Sequence, residues 1–224
     1  MTCKKCNDLG VIIYEQDGEE FAKICDCVKA KKSLLRLKSS GLDKLLDKYT
    51  FDRYKADFGY QKEFLAKARK YLGEKEKWFL AVGQSGAGKS FICTAICGEL
   101  LKQGKEVRFM SWLTESVKIK QNINNAEVYE PIMDDYKSCE VLYVDDLFKS
   151  DNSATPSSAD IKIANEIFNY RYNNALRTLV SSERTIAQLI EIDQAVVGRI
   201  IEMSEPYITQ FVGCEKNYRL RNFL

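Results

Sequence analysis

The apolar positions of this chain follow two spacings, and the switches between them predict most of its elements. Over residues 61–72, Phe64, Leu65, Ala68, Tyr71 and Leu72 recur at the spacing of one helix face. Downstream, compact apolar runs at 78–82, 107–110, 141–144, 178–181 and 208–212 read as five strands. Between them, 89–102, 159–175 and 193–203 read as helices, the first ended near Gly104. Near-continuous apolar strands alternating with helices predict a mostly parallel sheet covered on both faces.

The first 40 residues follow neither spacing. Cys3, Cys6, Cys25 and Cys27 flank a turn at Gln16-Asp17-Gly18, which reads as two knuckles joined by a hairpin. Lys29, Lys31, Lys32, Arg36 and Lys38, interspersed with Leu34, Leu35 and Leu37, predict a basic helical linker that Gly41 stops. A short amphipathic piece to Tyr49 then leads into Thr50-Phe51-Asp52. The chain therefore divides into a cysteine module with its linker, 1–40, and a larger α/β domain, 41–224. Residues 151–158 are poor enough in apolar side chains to predict a mobile loop.

At 224 residues there is room for one full α/β core and a small appendage. Lys+Arg 34 against Asp+Glu 32 leaves a formal charge of +2, so no global field points to nucleic acid or membrane. The start Met-Thr-Cys-Lys-Lys-Cys is no signal peptide and no 18-residue apolar run occurs, so a cytoplasmic, reducing setting with no membrane partner is expected. There the four N-terminal cysteines are metal ligands rather than disulfides. Four thiolates suit tetrahedral Zn²⁺, although Cys25-x-Cys27 is tighter than the usual two-residue gap. Cys93, Cys97, Cys139 and Cys214 lie in apolar contexts and read as small core residues. With no histidine, chemistry must rest on Lys, Arg, Asp, Ser and Cys.

Two motifs carry that chemistry. Gly83-Gln84-Ser85-Gly86-Ala87-Gly88-Lys89-Ser90 is a complete phosphate-binding loop between a predicted strand and a predicted helix. Its glycines let successive N–H groups face inward onto phosphate, Lys89 reaches the β- and γ-phosphates, and the Ser90 hydroxyl binds Mg²⁺. The strand 141–144 then delivers Asp145 and Asp146 at its C-terminal end, where open α/β sheets bind ligands. Asp145 would hold Mg²⁺ and Asp146 would orient or deprotonate the attacking water, a design for hydrolysing ATP. Because strand 107–110 intervenes, the Asp-bearing strand does not directly follow the loop strand in sequence. That order favours additional-strand ATPases over small kinases and GTPases, and no guanine-reading Asn-Lys-x-Asp occurs.

Together with the N-terminal cysteines, Tyr49-Thr50-Phe51, Val144-Asp145-Asp146-Leu147 and Ser181-Ser182-Glu183-Arg184-Thr185, these motifs resemble the AAA+ helicase loaders of bacteria and phages, the DnaC/DnaI type with an IstB-like ATPase domain. The resemblance implies a five-stranded AAA+ core. With 42 residues after Ser182, no helical lid domain is expected. It further implies Ser181 or Ser182 at the sensor-1 position, with Ser182 preferred, and Arg199 as an arginine finger reaching a neighbouring copy. Family members more often carry Ser-Arg where this chain has Gly198-Arg199. Arg219 falls at a sensor-2-like position, and Phe51 is similar to residues that pack on adenine. The implied partners are a hexameric replicative helicase of the DnaB family, gripped by the N-terminal module, and single-stranded DNA. Trp112 with Lys118 and Lys120, and Phe148 with Lys149, are candidate base-stacking pairs or ordinary surface. The alternatives are an IstB-like helper of a DNA transposase, a kinase in which Asp146 activates a substrate hydroxyl, and a scaffold that does not hydrolyse ATP.

Overall fold

The computed structural model describes residues 3–28, 31, 42–150 and 155–219. Except for Lys31, the basic linker and Gly41 lie outside these residues, as do Arg221 and much of the expected loop at 151–158. The N-terminal segment is an antiparallel hairpin of β1 (Val11–Gln16) and β2 (Glu19–Ile24). Asp17 and Gly18 both adopt positive φ, 55° and 81°, the conformation a two-residue hairpin turn demands.

The main sheet contains β3 (Phe79–Gly83), β4 (Val107–Ser111), β5 (Val141–Asp145), β6 (Arg177–Ser182) and β7 (Ile208–Phe211). All its pairings are parallel, in the order β4-β5-β6-β3-β7. Strand β6 is thus inserted between the phosphate-loop strand and the Asp-bearing strand, which is the additional-strand arrangement.

Side chains alternate across each strand and so build two cores. Phe79, Ala81, Tyr143 and Leu179 join one core with α2 (Gly59–Tyr71) and α3 (Lys89–Lys102). Leu80, Val82, Leu142, Val144 and Val180 join the other. That second face is covered by α4 (Trp112–Gln121), α5 (Ala126–Ser138), α6 (Ser158–Asn173) and α8 (Gln194–Ser204), with α7 (Ile186–Ile192) alongside. A single turn, α1 (Asp43–Leu46), precedes the core. Cys93, Cys97 and Cys139 are buried, as their apolar contexts imply, while the Cys214 side chain lies outside what the structure describes.

Local signals set the helix ends. Ser157 and Asp160 form a reciprocal capping box at α6, Thr185 and Gln188 another at α7, and Asp193 caps α8 through the Val196 N–H. The helices α4 and α5 escape the sequence reading. Tyr129, Ile132, Met133 and Tyr136 carry helical spacing along α5, but Pro131 stands inside it and removes one backbone donor. After β7 the described residues hold one short 3₁₀ turn, Cys214–Lys216, and no lid domain.

Candidate functional site

The phosphate loop leaves β3 and enters α3 along a path that side chains would block. Gly83 has φ 97°, and a Cβ there would stand 2.1 Å from the Phe211 carbonyl oxygen of β7. Gly86 has φ 75°, and its Cβ would collide with the Asn217 side chain. The loop borders a cavity of about 470 Å³, within the range of small-molecule sites. Its walls include Tyr49, Arg53 and Tyr54, the loop residues Ser85 to Ser90, then Phe91, Asp146, Lys149, Glu183 and Arg219.

Lys89 lies folded onto its own loop, its ammonium donating to the carbonyls of Gly83 at 2.7 Å and Gln84 at 2.8 Å. Burial pushes its pKa down, and the carboxylates of Asp146, Glu183 and Asp145 oppose that push. An incoming phosphate offers the same ammonium a charged acceptor in place of two neutral ones. Ser90 Oγ donates to Asp145 Oδ1 at 2.9 Å, so the two expected magnesium ligands already touch. Tyr143 and Ser181 donate their hydroxyls to that same Oδ1. Asp146 has φ 56° and donates its N–H to Ser181 Oγ at 3.1 Å. Burial, then the charge of Asp145, raises the pKa of Asp146, while Lys149 at 2.9 Å lowers it. A carboxyl so raised beside a phosphate loop is a candidate proton acceptor for water.

The structure brings Gly83 to Ser90, Asp145, Asp146 and Arg219 to one place, and it places other expected residues elsewhere. Ser182 is fully buried and donates to the Leu147 carbonyl at 2.8 Å. The serine that reaches Asp145 is Ser181. Strand alternation decides this: Val180 points into the second core, so Ser181 shares the face of Leu179, Tyr143 and α3. Phe51 is a correction too. It is 6% exposed in the first core, with the Arg69 guanidinium over its ring at 5.2 Å, and it does not line the cavity. The aromatic wall comes instead from Tyr49, Tyr54 and Phe91, with Tyr49 stacked on Phe91 at 4.5 Å.

Trp112 and Phe148, offered as stacking platforms, are 1% exposed each and pack edge-to-face at 5.3 Å. Neither presents a face to a base, and Lys118 and Lys120 pair with Glu115 and Asp160. Arg199, on α8, donates to the Ala195 carbonyl and lies 6.0 Å from the Tyr172 ring, outside the cavity lining of its own chain. Residues at the site to which the sequence assigned no nucleotide role are Lys149, there paired with Phe148 as a DNA contact, together with Glu183, Tyr143, Tyr49, Tyr54 and Phe91. Of these, Tyr143 was readable from alternation, two positions before Asp145.

At the other end of the chain, the Sγ atoms of Cys3, Cys6, Cys25 and Cys27 all lie within 4.8 Å of one another. Cys3 to Cys25 is 3.8 Å and Cys6 to Cys27 is 3.4 Å. Thiolates about 2.3 Å from a tetrahedral zinc stand about 3.8 Å apart, so this donor set fits that ion. Without an ion, backbone N–H groups of Lys5 and Cys6 pull the Cys3 thiol down to about 7, while the Cys6 thiol and burial push Cys27 up to about 12, so metal binding there would release protons. The tight Cys25-x-Cys27 spacing is accommodated because the Cys25 N–H bonds the Gly10 carbonyl at 2.8 Å, bringing the end of β2 back beside the first knuckle.

YqaM of Bacillus subtilis, an uncharacterized protein, is 32% identical over 90% of this chain and 68% of its own length. The replicative helicase loader DnaC of Escherichia coli is 24% identical over 73% of this chain and 67% of its own. A crystal structure of the DnaC helicase loader superposes with a TM-score of 0.65 at 22% identity, over 74% of this chain and 97% of that one. The chain belongs to one family with YqaM, and it is similar to the DnaC-type AAA+ helicase loaders. A family profile described as RNA helicase also matches, over residues 79–175. Its span runs from β3 past α6, so it takes in Lys89, Asp145 and Asp146 and stops short of Ser181 and Arg199. No helix among the described residues is long and apolar enough to cross a membrane.

Proposed function

We propose that this chain is an ATP-dependent loader that binds a hexameric replicative helicase of the DnaB family in the cytoplasm and assists its placement on single-stranded DNA. The observation that carries the reading is the joining of Ser90, Asp145 and Ser181 by hydroxyl-to-carboxylate bonds beneath a phosphate loop, in a chain similar to the helicase loaders. In this reading residues 1–40 form the helicase-gripping module and 41–224 the ATPase domain. Cys3, Cys6, Cys25 and Cys27 hold a structural zinc, whose binding energy helps fold a segment with little core of its own.

The chemistry is transfer of the γ-phosphoryl of ATP to water, giving ADP and phosphate. Ser85 to Gly88 present backbone N–H groups to the phosphates, those of Gly83 and Gln84 being held by the Arg184 and Phe211 carbonyls, and Lys89 turns from its loop carbonyls to the β- and γ-oxygens. Mg²⁺, held by Ser90 and Asp145, would neutralise charge on those oxygens. Asp146 accepts the proton of the attacking water. Ser181 fixes both aspartates, bonding the side chain of one and the backbone of the other. Arg199 would stabilise the developing charge at the site of a neighbouring copy, which makes self-association part of the cycle. Tyr49, Tyr54 and Phe91 offer the adenine an aromatic wall.

A pull-down of purified replicative helicase by the full chain tests this reading. Retention that is lost on deleting residues 1–40, with loading onto single strands abolished by Lys89→Ala, is the expected result. A chain that neither retains the helicase nor assists its loading refutes it. The profile described as RNA helicase favours a second reading, strand separation by this chain itself. Unwinding of an RNA or DNA duplex by the chain with ATP and no helicase present would establish that reading instead.

A further inference from the structure

Immediately after the two aspartates the backbone makes a costly turn. Asp146 and Phe148 both adopt left-handed φ, 56° and 60°, which side-chain-bearing residues hold only where the surroundings impose it. Here the surroundings do so from several sides. Leu147 is fully buried, and Phe148 is wedged against Trp112. The Leu147 N–H donates to the Ser181 carbonyl at 2.8 Å, the Leu147 carbonyl accepts from Ser182, and the Phe148 carbonyl accepts from the Arg184 guanidinium at 3.2 Å. The Lys149 N–H closes the turn onto the Asp146 carbonyl at 2.9 Å.

The product of this strain is the direction of one side chain. Lys149 points into the nucleotide cavity, its Nζ 2.9 Å from Asp146 Oδ2 and 3.2 Å from Glu183 Oε2. Glu183 and Ser85 of the phosphate loop line the same cavity; burial pushes the Glu183 carboxyl up, but Ser85 and Lys149 outweigh it and hold it below its ordinary range. The side chains are 36% exposed for Lys149, 25% for Asp146 and 36% for Glu183. Ion pairs so open to solvent add little to folding stability. Orientation is what such a pair supplies here.

We propose that Lys149 is a positioning residue for hydrolysis: its ammonium ties the Asp146 carboxylate to Glu183, which shares the cavity wall with Ser85 of the phosphate loop, and so fixes the direction of the water-activating group. The proposal rests on the reading that the chain hydrolyses ATP. Its consequence is that the charge at 149 governs turnover and leaves ATP affinity to the loop and Lys89.

The test uses the full chain with Lys149→Met, which keeps the length and removes the charge, measured for phosphate release and for ATP binding at equilibrium. Misplacing a catalytic group by about 1 Å costs up to about 100-fold, so kcat is expected to fall roughly 10- to 100-fold while ATP affinity changes less than about threefold. Lys149→Arg restores most of the rate. Adding Lys149→Met to Asp146→Asn slows the enzyme no further, because both changes disable one unit. Wild-type turnover in Lys149→Met, losses that multiply in the double variant, or a fall in affinity matching the fall in kcat each overturn the proposal. A wild-type chain that releases no phosphate refutes the underlying ATPase reading, and the inference with it.

Discussion

In the proposed cycle the adjacent serines at the end of β6 divide between the ATP site and the fold, and their alanine variants make that division measurable. Ser181 Oγ donates to the Asp145 carboxylate and accepts the Asp146 N–H at 3.1 Å, with no exposure to solvent. A hydrogen bond to a charged group contributes about 1.5–3 kcal/mol, and each 1.4 kcal/mol is tenfold in rate, so Ser181→Ala is expected to lower kcat roughly 10- to 100-fold. Ser182 Oγ donates to the Leu147 carbonyl at 2.8 Å and accepts the Arg184 N–H at 3.2 Å, both neutral backbone groups. At about 1 kcal/mol each, their loss in Ser182→Ala costs about 2 kcal/mol of folding stability. For a chain of this size that lowers Tm by roughly 4–8 °C, with kcat held within about threefold. The assay is phosphate release at saturating Mg-ATP, paired with thermal melting without nucleotide. If Ser182→Ala slows turnover more than Ser181→Ala does, the assignment of Ser181 to the site is wrong.

Three further outcomes follow from other parts of the molecule. Arg171 is fully buried and donates to the carbonyls of Tyr136, Lys137, Cys139 and Arg177 and to the Thr178 hydroxyl, so it caps the C-terminal end of α5. Arg171→Met strands those acceptors and is expected to cost about 3–5 kcal/mol, read as a lower urea midpoint; an unchanged midpoint refutes the capping role. Mass spectrometry under native conditions should find one zinc per chain in the wild type and none in Cys25→Ser, and a metal-free wild type removes the zinc site. Burial raises the Asp160 carboxyl, but Lys120 and both the hydroxyl and N–H of Ser157 outweigh it, and the net value lies below the ordinary 3.8. A depressed folded pKa stabilises the fold above the unfolded value and loses that effect as pH falls through the folded one. The Tm gap between wild type and Asp160→Asn should therefore be full at neutral pH and close as pH drops below 3.8; a gap independent of pH contradicts the assignment.

The parts of this molecule that were legible in the sequence are those whose chemistry is local. The loop from Gly83 to Ser90 and the pair Asp145-Asp146 each announce themselves within eight residues, and five short apolar runs mark the strands. Which side chain a strand turns toward a site is nearly as local, since Leu179 and Val180 already divide between two cores. Alternation from Asp145 and Tyr143 would have selected Ser181. Aromatic residues are harder. Phe51, Trp112 and Phe148 look like available rings in a sequence, yet all three are buried, while Tyr49 and Tyr54, a few positions from Phe51, line the cavity. Nothing within those segments distinguishes them, because burial depends on what α2 and α4 bring from elsewhere.

The phosphate loop shows why an eight-residue motif does not by itself make a site. The Gly83 N–H donates to the Arg184 carbonyl at 3.0 Å, beyond the end of β6. The Gln84 N–H donates to the Phe211 carbonyl of β7 at 2.9 Å, and the Gly86 carbonyl accepts the Tyr218 N–H at 3.1 Å. Three segments that follow the loop by about a hundred residues or more thus hold its backbone. Two of them carry side chains that line the cavity, Glu183 beside Arg184 and Arg219 beside Tyr218. Any shift of phosphates that moves the loop must therefore move β6, β7 and the segment around Tyr218, or break these bonds. The shape of the loop thus belongs to its neighbours in the strand order β6-β3-β7 as much as to its own eight residues.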